Sequence, residues 1–319
     1  MRLCGVAMVR NAADVIEAFV RHNLSILDGL LVIEHGSIDE TPGILSKLQA
    51  EGLALRVEQD TDPAFRQSEV MTTFARREFA RDAADFVFAL DADEFLKIRS
   101  RPVLEEVLAK VPHGLHAAVD WLTYVPEQFQ PAAAAFGSAH LRWRLKTERQ
   151  GVFKVIASRA LMERPRDVIA SGNHCIQDPA APPDSQVHAI VHREVVAVAH
   201  CPVRSRAQLE GKIIVGYLAH LASRPRDQHL AEHWREIYAA LRRGETLNED
   251  RLRTIACNYG LPERLWEPAS RIELVDDPVP LAGEQRYRVD AQPDPLRLLM
   301  HFTETLIAAR QQSPTRVEL

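Results

Sequence analysis

The segment 85–96, DFVFALDADEFL, changes character halfway along its length. Its first half contains the apolar run 86–90, which is short for a helix and rich in residues that favour β-strands. Three carboxylates follow within four positions, at Asp91, Asp93 and Glu94. A buried strand that ends in polar residues is typical of open α/β sheets, which bind their ligands at the carboxyl ends of the strands. The segment therefore predicts a central strand and a site at its end.

Asp91 and Asp93 are two positions apart, so in an extended chain their side chains lie on one face. Oxygen donors placed in this way suit Mg²⁺ or Mn²⁺, which keeps several waters and completes its coordination with substrate phosphates. The alternative is a helix start, with one aspartate as the cap and Glu94 in the first turn. A cap needs only one acid and leaves the apolar run unexplained, so we favour the metal site.

The composition is that of a globular protein with a substantial core. The chain has 319 residues, of which 46% are hydrophobic. Its 39 basic and 44 acidic side chains give a net charge of −5, which argues against a general affinity for nucleic acid. The 4 cysteines are scattered, as in reduced cytosolic proteins, and no apolar run approaches the ~20 residues of a membrane span. We expect a cytoplasmic protein without a transmembrane segment, and peripheral contact with a membrane stays open.

Short apolar runs alternate with stretches of helical spacing in the first hundred residues. Four strands are predicted there, at 3–9, 30–34, 53–57 and 86–90. Such alternation predicts right-handed crossovers and therefore an α/β fold, with a mostly parallel sheet flanked by helices. After residue 204 the spacing becomes mainly helical. The predicted organisation is a sheet domain over residues 1–204 and a mostly helical region over residues 205–319 that packs on it.

Three blocks of the chain resemble the motifs of one known family. Residues 9–12, VRNA, are similar to an opening K/R-N-E, with Ala in place of Glu. Residues 33–41, IEHGSIDET, are similar to a D-N-G-S-T-D-G-T loop, with Glu-His in place of Asp-Asn. Residues 83–96, AADFVFALDADEFL, are similar to an A-D-W strand followed by D-A-D-E-F-L. In this order the blocks resemble a family-2-type glycosyltransferase of the GT-A fold, in the bacterial subgroup with a D-x-D-E-F motif.

The resemblance implies a hexosyltransferase that moves a sugar from a UDP- or GDP-type nucleotide-sugar donor to a glycan or other hydroxyl acceptor, with inversion. By this resemblance the donor would contact Val9, Arg10, Asn11, Glu34, Gly36, Arg76, Asp91 and Ala92. Mn²⁺ or Mg²⁺ would bridge the diphosphate as a Lewis acid, held by Asp91, Asp93 and His200. His200 is included because many members of this fold take a histidine from a late strand, and it follows the strand-like run 195–199.

An inverting enzyme also needs a general base to deprotonate the acceptor hydroxyl. The E-D motif of commoner relatives does not occur where that base is expected. His174 and Asp120 are the candidates, and the sequence does not choose between them.

Two other functions stay open at this point. The departures at residues 12, 34 and 35 suit a degenerate glycosyltransferase that is kept as a non-catalytic binding module. A metal-dependent phosphatase also uses two aspartates two positions apart after a strand, but it places them near the amino terminus and has Thr or Val where this chain has Phe95. The phosphatase is the less favoured of the two.

Overall fold

A nine-stranded sheet forms the centre of the molecule in the computed structural model, which describes residues 1–81, 83–129, 136–182, 187–223, 232–287 and 293–312. The strands described are β1 (Leu3–Val9), β2 (Gly29–Glu34), β3 (Leu55–Gln59), β4 (Phe86–Leu90), β5 (Glu94–Ile98), β6 (His116–Thr123), β7 (Trp143–Leu145), β8 (Phe153–Ser158), β9 (Val168–Ile169), β10 (Ile176–Gln177), β11 (His188–Val191), β12 (Val196–His200) and β13 (Leu274–Asp276). The helices are α1 (Ile16–Leu24), α2 (Thr41–Ala50), α3 (Gln67–Arg81), α4 (Arg101–Leu108), α5 (Ala160–Glu163), α6 (Arg206–Ala222), α7 (Glu232–Arg242), α8 (Glu249–Cys257) and α9 (Pro295–Gln312).

The order of the strands places β1 and β4 side by side, with their carboxyl ends at the same edge of the sheet. The sheet runs β3-β2-β1-β4-β8-β6-β12-β5, and β11 also pairs with β6. The first four strands are parallel, as predicted, and β6 and β12 run in the same direction, whereas β5 and β8 are antiparallel to their neighbours. The chain builds outward from β1 to β3 and then returns to β4 on the other side of β1. The carboxyl ends of β1 and β4 therefore flank a topological switch point, where such sheets bind ligands.

Helices cover both faces of the sheet, because alternate residues of its strands are buried on opposite sides. In β1, Leu3 and Ala7 pack in the same core as residues of α1, α2 and α4. Cys4 and Val6 point the other way and pack with residues of α3 and α5. This arrangement confirms the predicted α/β fold with a mostly parallel sheet.

The acidic segment does not start a helix, so that alternative is wrong. A short turn after β4 leads directly into β5, which begins at Glu94 and pairs with β12 in the register Glu94↔His200. Phe95 and Leu96 are 0% and 1% exposed, and this burial, together with pairing to a strand a hundred residues further on, gives the segment its extended form. Local sequence contains no signal for that partner, which is why β5 was not predicted.

The region after residue 204 is mainly helical where it is described, and it contributes two further clusters of buried residues. One cluster joins α6, α7 and α8, and the other joins α6 to α9. The region also returns to the preceding part of the chain, since β13 pairs with β7. The division into 1–204 and 205–319 stays a prediction. None of the helices described is both long enough and apolar enough to cross a membrane.

The aromatic residue of the acidic motif anchors β5, and its removal should be costly. Phe95 is 0% exposed and stacks on Phe136 with ring centroids 5.1 Å apart. We expect Phe95→Ala to lower the free energy of unfolding by about 3–5 kcal/mol through lost burial and a residual cavity. Urea denaturation measures the change. Met300→Ala, at a position 56% exposed, is the matched control and should change stability by less than about 0.5 kcal/mol; equal effects of the two variants would contradict this packing.

Candidate active site

A cavity of about 460 Å³ opens at the switch point, within the size range of small-molecule sites. The turns that follow β1, β4 and β12 form one wall. Helices α6 and α7 and the residues after α8 form the opposite wall. The charged and imidazole side chains along it are Arg10, His35, Asp91, Asp93, Lys154, His174, His200, Arg204, Lys212, His220, Glu232 and His233.

The turn after β1 is held in shape by the loop that follows β2. Asn11 has a positive φ of 50°, a conformation that asparagine tolerates better than most residues. Its backbone N–H donates to Ser37 Oγ at 2.9 Å, and its side-chain oxygen accepts from the Ile38 N–H at 2.9 Å. The next N–H, of Ala12, donates to Thr41 Oγ1 at 2.8 Å. The G-S-x-D-x-T loop therefore acts here as a support for the backbone that borders the cavity.

Asp91 closes the carboxyl end of β4 and is fully engaged by side chains from elsewhere in the chain. Its Oδ2 lies 2.7 Å from Lys154 Nζ, on β8. Its Oδ1 accepts from Gln67 Nε2 at 2.9 Å and from Asn173 Nδ2 at 3.1 Å. Both carboxylate oxygens thus have hydrogen-bond donors from α3, β8 and the loop near residue 173.

The ammonium of Lys154 is buried between two acidic side chains. It lies 2.6 Å from Glu94 Oε1 as well as 2.7 Å from Asp91, and it donates to the Gly172 carbonyl at 2.7 Å. Burial alone would lower the pKa of Lys154, but the charges of Asp91 and Glu94 raise it, so the ammonium stays charged. Burial raises the pKa of Glu94 to about 8 against the opposing charge of Lys154. Glu94, the last acid of the motif, is therefore a buried structural residue that pairs with Lys154.

Asp93 has a separate set of partners on the other side of the turn. Its Oδ2 lies 2.7 Å from Lys212 Nζ, on α6, and 3.4 Å from Arg204 Nη1. Its Oδ1 lies 3.5 Å from His200 Nε2. Arg204 is shared with Asp14, to which its Nε donates at 2.6 Å. The sheet and the C-terminal region therefore meet at one carboxylate.

The charges around Asp93 keep it ionised although it is only 5% exposed. Burial alone would raise the pKa of Asp93, but Lys212, followed by His200 and Arg204, holds it well below its usual range. Burial would likewise lower the pKa of Lys212, and the charge of Asp93 raises it instead. The result is a buried ion pair that borders the cavity.

The two histidines predicted to be functional both line the cavity and are neutral near pH 7. Burial lowers the pKa of His200 to about 4, and burial together with the charge of Lys154 lowers that of His174 to about 4. His174 Nδ1 lies 3.0 Å from the Phe153 carbonyl, which assigns its proton to Nδ1 and leaves Nε2 as an acceptor. Trp121 lies against both rings, with centroids 5.3 Å from His174 and 4.5 Å from His200.

The cavity brings together most of the residues that the sequence singled out. Those that line it are Val9, Arg10, Asn11, Asp91, Ala92, Asp93, His174 and His200. The expectation that β12 would carry His200 to the same edge as the aspartates agrees with the parallel pairing of β6 and β12. Their roles as ligands or catalysts stay predictions.

Four of the predicted residues do not line the cavity. Glu34 is buried and its Oε1 accepts from the Ser37 N–H at 2.5 Å, so it stabilises its own loop, and Gly36 sits in that loop at φ 64°. Arg76 donates to backbone carbonyls of the 161–167 segment, among them that of Asp167 at 2.8 Å. Asp120 pairs with Arg193 at 3.0 Å. These contacts hold the side chains of Glu34, Arg76 and Asp120 outside the cavity.

Two cavity residues carried no recognisable signal in the sequence. Lys212 lies in the middle of α6, where a lysine reads as an ordinary solvated charge, and Gln67 stands at the start of α3. Lys154, by contrast, interrupts a short apolar run in the sequence, FKVIA at 153–157. Helical spacing gives no indication that Lys212 contacts Asp93, which lies 119 positions earlier in the chain.

The donor set does not fit a divalent cation held by Asp91, Asp93 and His200 as these side chains are arranged. No group of three or more His, Cys, Asp or Glu side chains in the described part of the chain is placed to hold a metal ion. The oxygens of both aspartates already face lysine ammonium groups at 2.7 Å. A metal cation beside them would be repelled by these ammonium groups. Two unit positive charges ~4 Å apart repel each other by about 4 kcal/mol at the effective dielectric constant of a protein.

The comparisons with known proteins give distant structural likenesses. No family model matches the chain, and no curated protein sequence matches it. The crystal structure of S. aureus TarS 1–349 is 11% identical, with 75% of this chain and 71% of that chain covered and a TM-score of 0.34. Glucosyl-3-phosphoglycerate synthase from Mycobacterium tuberculosis, in complex with Mn²⁺, UDP and phosphoglyceric acid, is 16% identical, with 88% of each chain covered and a TM-score of 0.34. Mannose-1-phosphate geranyltransferase from Thermus thermophilus is 12% identical, with 75% and 68% covered and a TM-score of 0.26.

Removal of the buried lysine should destabilise the whole molecule. Lys154→Met removes the buried ammonium that lies 2.7 Å from Asp91 and 2.6 Å from Glu94, and we expect a loss of about 3–5 kcal/mol in the free energy of unfolding. Lys146→Met is the control, because the Lys146–Glu273 pair at 2.9 Å is exposed and worth at most about 1 kcal/mol. Chemical denaturation at pH 7 compares the two. A loss below about 1 kcal/mol for Lys154→Met would show that the buried ion pair is not needed for folding.

Buried histidines should make the protein unstable in mild acid. Burial lowers the pKa of His116 from 6.5 to about 4, so between these values the unfolded chain binds a proton that the folded chain does not. The contribution of His116 to stability is therefore complete above about pH 6.5 and is lost as the pH drops toward 4. We expect His116→Gln to flatten this loss by at most about 3 kcal/mol, from 1.36 kcal/mol per pKa unit. His113→Gln, at a side chain 91% exposed, should keep the wild-type slope; an unchanged slope in His116→Gln would contradict the assignment.

Proposed function

We propose that this protein is a glycosyltransferase of the GT-A fold that moves a sugar from a nucleotide-sugar donor to a hydroxyl acceptor. One observation carries the proposal: a cavity at the switch point of a parallel sheet combines two aspartates with a cationic lining. Asp91 and Asp93 border that cavity together with Arg10, Lys154 and Lys212. Carboxylates can accept hydrogen bonds from ribose and sugar hydroxyls, and the cations suit the diphosphate that links them.

The position of the turn after β1 supports placing the nucleotide there. Arg10 and Asn11 follow the central strand, next to the end of β4, and the supporting loop fixes their backbone. Burial lowers the pKa of Arg10 to about 10, which leaves its guanidinium charged at neutral pH. A UDP- or GDP-type donor that enters beside Arg10 would direct its sugar toward Trp121 and His174.

The transfer requires three balanced changes. The bond between the anomeric carbon and the diphosphate oxygen breaks, and its electron pair leaves with the nucleoside diphosphate. The acceptor oxygen forms the new glycosidic bond, and its proton passes to a general base. We assign that base to His174, because it lines the cavity and its Nε2 is available as an acceptor. Direct displacement of this kind inverts the anomeric configuration.

The C-terminal region supplies the wall on the acceptor side in this proposal. Trp234 packs against Gly216 of α6, where a Cβ would lie 2.9 Å from the indole ring, and its Nε1 donates to Tyr259 Oη at 3.3 Å. Trp234 and Tyr259 both border the cavity. Aromatic faces of this kind pack well on sugar rings. The division into a donor domain, 1–204, and an acceptor-side region, 205–319, is part of the proposal.

The rival functions predict different products. A phosphatase needs a free aspartate oxygen as nucleophile, and both oxygens of Asp91 accept hydrogen bonds from Gln67, Asn173 or Lys154. A binding module would hold the nucleotide sugar without breaking it. Release of phosphate would identify the first, and binding without turnover would identify the second.

The test is nucleoside diphosphate release from a panel of UDP- and GDP-sugars, with simple glycosides as acceptors. We expect one donor to be consumed, and His174→Gln to lower kcat at least about 10²-fold through loss of general-base catalysis. Asp120→Asn is the matched control, because its carboxylate pairs with Arg193 outside the cavity, and it should keep wild-type activity. Loss of activity in Asp120→Asn with retention in His174→Gln would reverse the assignment of the base. No release from any donor would reject the transferase.

A further inference from the structure

We propose that Lys212, supported by Arg204, binds the diphosphate of the donor and compensates its charge in place of a divalent metal ion. The inference rests on the proposed function and specifies which side chains of that site bind the diphosphate. It starts from the mismatch between the acidic motif, which by its sequence suits a metal, and the buried cations that the fold brings to it.

Asp93 is the residue at which the mismatch is clearest. A metal-binding carboxylate must present free oxygen lone pairs to the cation. Asp93 instead faces Lys212 at 2.7 Å and Arg204 at 3.4 Å through one oxygen, and the neutral ring of His200 at 3.5 Å through the other. The position next to this carboxylate is therefore already filled by a cation of the chain itself.

Lys212 is the partner that is free to engage a ligand. Arg204 is only 6% exposed and is held by two contacts to Asp14, at 2.6 and 3.1 Å. The Lys212 side chain is 27% exposed and lines the cavity. Its ammonium lies 5.2 Å from the ring centroid of Tyr259. A flexible stem with three donors allows the ammonium to contact Asp93 and a phosphate oxygen together.

The placement of Lys212 on α6 gives the arrangement rigidity. Helix α6 begins shortly after the strand that carries His200, and its N-cap Ser205 accepts from the Gln208 N–H at 3.1 Å. The absence of a Cβ at Gly211 lets α9 approach, since a methyl group there would lie 2.6 Å from Leu298 Cδ1. The N-cap at Ser205 and the packing of Leu298 against Gly211 therefore hold the helix that presents Lys212 to the cavity.

The decisive experiment measures the affinity of the full-length protein for UDP and GDP by titration calorimetry, in EDTA and in Mn²⁺ or Mg²⁺. We expect one nucleotide to bind with the same Kd within about twofold in all three conditions. Lys212→Met should weaken that binding at least about tenfold, whereas Lys146→Met, at an exposed lysine that does not line the cavity, should not change it.

Asp93→Asn separates the two mechanisms even if Lys212→Met fails to fold. With Lys212 as the cation, loss of the aspartate charge releases the ammonium toward the diphosphate, so affinity should stay equal or rise. With a metal held by Asp93, the same change should abolish binding. Binding that needs Mn²⁺ or Mg²⁺ and is lost in Asp93→Asn overturns the inference and leaves the proposed function standing. Absence of binding to either nucleotide under all conditions rejects the proposed function as well.

Discussion

Two aspartates at the end of β4 each lie 2.7 Å from a lysine ammonium that comes from a distant part of the chain. Asp91 depends on Lys154, 63 positions later, and Asp93 depends on Lys212, 119 positions later. A buried carboxylate without such a partner would cost several kcal/mol or take up a proton. The requirement ties the N-terminal strands to β8 on one side and to α6 on the other. Much of the rest of the architecture serves to bring these groups to one place.

The antiparallel strands follow from that requirement. Strand β8 enters the sheet between β4 and β6, and its direction brings Lys154 to the carboxyl end of β4. Strand β12 pairs in parallel with β6 and antiparallel with β5, which places His200 beside Asp93 and starts α6 at the same edge. A purely parallel sheet would have carried Lys154 to the opposite end. The mixed topology is therefore linked directly to the electrostatics of the site.

The same charges shape what the site can do. Each aspartate shares its charge with a lysine that also borders the cavity, so an incoming anion competes for cations that the fold has already desolvated. Under the proposed function, cations held in place in this way would need little reorganisation to bind a diphosphate. Helix α6 and the aromatic residues behind it form the far wall, so the C-terminal region completes the cavity in addition to covering the sheet.

The sequence by itself determined the first four strands of the sheet and the acidic turn that follows β4. Strands β1 to β4 were recognisable because a fully buried strand is a short apolar run between polar turns, and this pattern is local. The acids after residue 90 were recognisable for the same reason, and the loop 36–41 could be identified by its turn-forming residues. His200 was expected at this edge because it follows the strand-like run 195–199.

Only the tertiary structure decided which residues meet at that edge. Glu34, Arg76 and Asp120 have the right chemistry, but their partners, Ser37, backbone carbonyls of 161–167 and Arg193, hold them elsewhere. Lys212 belongs to no recognisable motif, and yet its ammonium lies 2.7 Å from Asp93. The physical reason is that periodicity reports which face of an element is buried, whereas the identity of a buried charge's partner depends on strand register and helix packing across more than a hundred residues. The sequence specifies those contacts only through the complete fold.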